Sequence, residues 1–109
     1  MVNPERGDVE LVVNGEARVM RLTLGALAAL EARLEAGSLA ALIEAFEAGN
    51  AGSGQILALI WAGLNGGGWA VSYDDVAAAR IGGGPLAAVA AAGRLLRLTF
   101  AGQAGEAGS

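Results

Sequence analysis

Between Leu22 and Gly49 the apolar positions recur at helical spacing in two short blocks joined at Gly37-Ser38. In the second block Leu39, Leu42, Ile43 and Phe46 fall at i, i+3, i+4 and i+7, which lines them up on one side of an α-helix. In the first block Leu24, Leu27, Leu30 and Leu34 form a looser stripe, with Glu31, Arg33 and Glu35 on its flanks. Thr23 is the expected N-cap of the first helix, Gly37 its closing glycine and Ser38 the N-cap of the second, which should stop at Gly49. Each stripe needs a cover, from this chain or from a partner.

Upstream, Val9 to Val13 and Ala17 to Leu22 are β-prone runs on either side of Asn14-Gly15, a strong hairpin signal. A two-residue turn would pair Val13 with Glu16 and Glu10 with Val19, mixing polar and apolar side chains on both faces. A three-residue loop gathers Val9, Leu11, Val13, Ala17 and Val19 on one face, and this clean alternation makes it the expected register. A lone hairpin is marginal in water, so it must pack on the helices.

Downstream, Gly49 to Gly54 reads as a flexible loop. The helix expected from Gln55 to about Leu64 is apolar nearly all round, the mark of a central bundle helix. It is long enough to cover the earlier stripes, so Leu24, Leu27, Leu30, Leu39, Leu42, Ile43 and Phe46 are expected mostly in the core. Ser72 and Asp75 resemble a capping box that opens a helix from Tyr73 to about Ile81. Gly82-Gly83-Gly84 breaks it, and Pro85 suits the first position of a last helix running to about Thr99. That helix places Leu86, Val89, Leu96 and Phe100 on one side and Arg94 and Arg97 towards another. The expected fold is mainly α: an N-terminal β-hairpin packed on a compact bundle of about five short helices. One domain covers residues 1–100, followed by a flexible tail at 101–109.

Composition sharpens this picture by exclusion. The 109 residues are 54% hydrophobic but only 5% aromatic, and alanine and glycine dominate, so each helical turn buries little area. Spare apolar surface of that kind marks a contact site. A net charge of −4 with arginines that never gather beyond the Arg94/Arg97 pair argues against nucleic acid or an anionic membrane as partner. Without cysteine there is neither a disulfide framework nor thiolate metal ligation, and the first residues lack a signal-peptide layout. The most apolar run, Ile56 to Val71, holds Asn65 and three glycines and is too short to span a bilayer, so a cytoplasmic protein is expected.

The candidate chemistry is sparse. With no His, Cys or Lys, the common general bases, nucleophiles and Schiff-base residues are missing, and no enzyme, cofactor or metal site is expected. Asp74-Asp75 lies in a first helical turn, where carboxylates serve the helix dipole. The glycine clusters at 66–68 and 82–84 fit neither a phosphate loop, which needs a lysine, nor a dinucleotide fingerprint. Gly63 and Gly67 are spaced as GxxxG, a weak sign of close packing outside a bilayer. Trp61 reads as core, whereas Trp69 serves either as a packed lid or as an anchor for a partner. Trp69, Arg94, Arg97 and Phe100 are the candidate partner-binding residues.

One resemblance goes further. Thr23-Leu24-Gly25-Ala26-Leu27-Ala28-Ala29-Leu30-Glu31 after a hairpin, Ser38-Leu39-Ala40-Ala41-Leu42, Ala62-Gly63-Leu64 with its glycine run, and Val71-Ser72 with Asp74-Asp75-Val76 together resemble the small tail protein of bacterial gene transfer agents. That family is similar to phage tail assembly chaperones and is also labelled a phage tail tube protein. The resemblance spans roughly Glu5 to Phe100 and implies a non-enzymatic role in building a phage-like tail. It implies binding to the tape-measure protein during assembly, and contact with the tail tube protein or self-association as further interactions. The alternatives are a permanent tail component, such as a tail tube or minor tail protein, or an unrelated small protein-binding module.

Overall fold

The computed structural model describes the backbone of residues 7–34 and 39–107, and side chains as far as residue 100. In chain order the elements are β1 (Val9–Val13), β2 (Glu16–Met20), α1 (Leu24–Arg33), α2 (Leu39–Ala48), α3 (Ser53–Gly66), α4 (Tyr73–Ala78) and α5 (Gly84–Ala107). Among the described residues the fold is therefore mainly α, an antiparallel hairpin followed by five helices, as the pattern predicted. No helix among the described residues is long and apolar enough to cross a membrane.

The hairpin register departs from the expected one. Val13 pairs with Glu16, Leu11 with Arg18 and Val9 with Met20, around a two-residue turn. Asn14 and Gly15 hold φ of 52° and 85°, the left-handed pair of a type I′ turn, whose twist matches that of the strands it joins. The polar residues that this register puts on the core side, Glu16 and Arg18, lie near the turn, and Arg18 Nε is buried there without a hydrogen-bond partner among the described residues. Glu16 is exposed, and the Arg18 guanidinium bonds Glu16 at 2.8 Å and lies 4.0 Å from the centre of the Trp69 ring. Met20, at the far end, is fully buried beside Val9 and Leu11.

Two contacts tie the hairpin to the rest of the chain. Arg21 donates from Nε and Nη2 to the two oxygens of buried Asp8 at 2.6 and 2.8 Å, closing the open end of the strands. That carboxylate, through the hydrogen bond first and its charge second, raises the Arg21 pKa above its ordinary value. At the turn, Asn14 N–H donates to the Arg80 carbonyl, the Arg80 N–H donates to Asn14 Oδ1, and Ile81 forms a bridge to Val13. The chain after α4 thereby occupies the outer edge of β1, where unpaired backbone would otherwise face water. This is why α4 stops at Ala78 rather than near Ile81.

α1 starts where expected: the Thr23 hydroxyl accepts from Ala26 N–H at 3.1 Å. α2 ends at Ala48, with Gly49 at φ 76°. The Gly37 and Ser38 caps lie outside the described residues. Ser72 caps α4 by accepting from Asp75 N–H, the first half of the expected box. α3 begins two residues before the expected start, its Gln55 side chain accepting from Gly52 N–H, and it forms the centre of the bundle. Leu59, Ala62 and Leu64 are fully buried, and α3 packs on α1, β2, α4 and α5.

The last turn of α3 approaches the hairpin at backbone distance. A Cβ at Gly66 would overlap the Arg21 carbonyl and come within 3.2 Å of Ala26 Cβ, and one at Gly63 would lie 2.7 Å from Leu95. A Cβ at Gly67 would overlap the Val19 carbonyl, so the GxxxG pair Gly63 and Gly67 serves contact of α3 with β2 and α5 inside the molecule.

Two stripe assignments change. On α1, Leu24 is 85% exposed and the buried positions are Ala26 and Leu30. On α5 the buried stripe is Ala88, Ala92, Leu95 and Leu96, while Leu86 is 84% exposed and Val89 also faces solvent. Leu86 and Val89 carry the stronger apolar signal, but the side of α5 that can approach α3 closely is the one bearing alanines. α5 also continues to Ala107, past the end expected near Thr99, in a stretch with no proline to stop it.

Candidate functional site

α2 and α5 do not close on one another. Leu42 is the only α2 side chain fully withdrawn from water, whereas Leu39, Ile43 and Phe46 are half-buried at the edge of the core. Between the helices lies an open groove of about 360 Å³ with mostly apolar walls. α2 supplies Ile43, Phe46 and Glu47, and α5 supplies Gly93, Leu96, Arg97 and Phe100. Gly93 keeps the floor low: a Cβ there would sit 3.6 Å from the Phe46 ring, so a larger side chain would fill the space.

Periodicity explains why these residues meet. Leu96 and Phe100 are one turn apart on α5, and Gly93 and Arg97 form the adjacent row. On α2, Ile43 and Phe46 share the apolar face, and Glu47 follows on its edge. Arg97 and Glu47 line the same groove from opposite walls, yet neither forms an ion pair among the described residues. Arg94, exposed one turn before Arg97, faces a second depression between α5 and β1 that also holds Glu10 and Val12. Arg94 and Arg97 therefore make a basic ridge between the two depressions.

Of the four sequence-selected residues, Arg97 and Phe100 come together in the groove, and Arg94 flanks it. Trp69 lies elsewhere, half-buried against the core with Arg18 over one face of its ring, the arrangement of a packed lid. Trp61 is half-buried rather than sealed in the core: it meets Tyr73 edge to face at a centroid distance of 5.9 Å, and Arg33 lies over both rings. That cluster fastens the end of α1 to α3 and α4. Ile43 and Phe46 were expected in the core, and no signal in the sequence marks them as groove residues. The pattern identifies the apolar face of α2, but its exposure depends on how far α5 stands away.

Among the described residues, no group of three or more acidic side chains is placed to hold a metal ion. The groove offers mostly apolar contact with one charge on each wall, Glu47 on α2 and Arg97 on α5.

Neither the curated proteins nor the solved structures gave a match. A family model described as "Phage tail tube protein, GTA-gp10" matches residues 6–102, which include every element from β1 to the groove. A match over that much of the sequence places the chain in a gene transfer agent tail family: it belongs to the phage tail tube protein, GTA-gp10 family.

Proposed function

We propose that this tail-family protein is a non-enzymatic assembly chaperone that works in the cytoplasm and holds an apolar helix of the tape-measure protein until tail-tube subunits polymerise around it. The observation that carries this reading is the open groove between α2 and α5, which leaves Phe46 and Phe100 half-exposed in a chain that belongs to a tail family. An amphipathic helix buries its apolar face in such a groove, and a shallow, partly polar site gives binding that a polymerising competitor can reverse. The direct test is co-expression with the tape-measure protein of the same particle. Soluble tape-measure protein should rise several-fold, and Phe46→Ala should remove most of the gain. Unchanged solubility with the wild-type chain would sink the chaperone reading.

A second reading, a permanent tail component, is favoured by the family description itself, which names a tail tube protein. It requires self-association into rings or tubes and retention in finished particles. Mass spectrometry of purified particles separates the two, because a chaperone is left behind and a tube subunit is present in many copies.

A further inference from the structure

We propose that the α2–α5 groove selects an amphipathic helix whose apolar stripe is edged by carboxylates on the side that meets α5; this rests on the chaperone reading above and adds the charge pattern of the bound segment. Arg18 is paired with Glu16, Arg21 with Asp8, and Arg33 lies over Trp61 and Tyr73. Arg94 and Arg97 differ from these three. They are exposed, one helical turn apart and without an ion pair among the described residues, in a chain whose net charge is −4. Arg97 stands on the groove wall itself, and Arg94 extends the positive edge by one turn along α5.

The opposite wall carries the opposite sign. Glu47 lines the groove from α2, and Glu44 lies one turn earlier, exposed. A helix lying in the groove thus meets a positive rim along α5 and a negative rim along α2. Ile43, Phe46, Leu96 and Phe100 supply apolar contact that is indifferent to the direction of the incoming helix. The rims are not: a carboxylate flank over Arg94 and Arg97 is attracted, and the reversed placement sets carboxylates against Glu47. The shape also favours a helix over a second copy of this chain, since a copy brings the same concave surface and the same net negative charge. Charge here fixes orientation and partner choice, while the apolar floor gives most of the affinity.

Two synthetic helical peptides with the same leucine stripe test this, one with Glu along one edge and Lys along the other and one with Lys along both edges, titrated against the full chain by fluorescence anisotropy at low salt. The Glu/Lys peptide should bind roughly tenfold tighter: both peptides can set Lys against Glu44 and Glu47, but only this one sets carboxylates rather than Lys against Arg94 and Arg97, two favourable rim contacts replacing two repulsive ones. Arg94→Glu with Arg97→Glu should reverse that preference. Both arginines are exposed and without an ion pair among the described residues, so the fold survives the change, which circular dichroism checks. Phe46→Ala should weaken both peptides and leave the preference intact. Equal binding of the two peptides, no binding of either, or a preference that outlives the double reversal would each overturn the inference. A dimer in sedimentation that Phe46→Ala dissolves, with no peptide bound, would overturn it by assigning the groove to a second copy.

Co-expression keeps the two ideas apart. If the doubly reversed chain raises soluble tape-measure protein as well as the wild type does, the charge rule fails and the chaperone reading stands. If the wild type raises none while the peptides behave as expected, the chaperone reading fails and the groove remains a selective helix site for another partner.

Discussion

α1 and α2 are both ten-residue helices rich in alanine and leucine, each with one apolar stripe, yet their environments differ. α1 is fixed at both ends: Thr23 caps its start, Leu34 N–H returns to the Glu31 carbonyl, and Arg33 reaches over Trp61 and Tyr73. Its Leu30 is fully buried against the core around α3. α2 buries Leu42 as completely, but Ile43 and Phe46 open onto the groove with α5. The same amphipathic pattern thus builds framework in one place and leaves a surface in the other. What decides is the opposing element. α3 can approach α1 closely through Gly66, while α5 presents Gly93 and Arg97 to α2 and leaves a gap between them.

The largest expected effects lie on the α1 side. Leu30→Ala removes a fully buried side chain from the interior and should cost about 4 kcal/mol, a fall in Tm of more than about 10 °C. Gly66→Ala attacks the same contact from α3. The new methyl would meet the Arg21 carbonyl and Ala26 Cβ, and the overpacking should cost about 3 kcal/mol in urea unfolding. A Gly66→Ala chain as stable as the wild type would show that the close approach of α3 to α1 does not hold α1 in place.

How much of this comparison was legible in the sequence depends on what periodicity can carry. It located all five helices and the hairpin, because caps such as Thr23 and Ser72 and the breaks at Gly49 and Gly82 to Gly84 act within a few residues of where they stand. The register was missed where two local signals conflicted. The backbone preference of Asn14-Gly15 outweighed sorting of the faces, since Trp69 and Glu16 accommodate Arg18, and that partnership spans a long stretch of chain. On α5, hydrophobicity favoured Leu86 and Val89, but close packing selected Ala88 and Ala92. The groove was the least legible feature, because a gap between two helices is set by the distance between them and leaves no mark on either one.

Phe46→Ala sharpens the contrast at intermediate size. The ring is half-buried and already touches the groove, so its loss should cost only about 1 kcal/mol of stability, a few degrees in Tm. The partner effect should be greater than the stability effect, with helix binding falling at least tenfold. A stability loss equal to that of Leu30→Ala would place Phe46 in the framework and erase the distinction between the two helices.

The smallest effect tests the comparison inside α1 itself. Leu24 opens the helix, belongs by spacing to the same stripe as Leu30, and is 85% exposed. If the opposing element decides the role of each position, then Leu24→Ser should change stability by no more than about 0.5 kcal/mol, as for ordinary surface sites. The sequence pattern instead ranks Leu24 with the buried leucines and predicts a loss of about 2 kcal/mol or more. Thr23 caps through its own hydroxyl and is untouched, so the cap does not confound the result. Thermal unfolding of the single variant separates these values. A large loss would mean that Leu24 is covered in solution and that α1 carries a contact surface of its own.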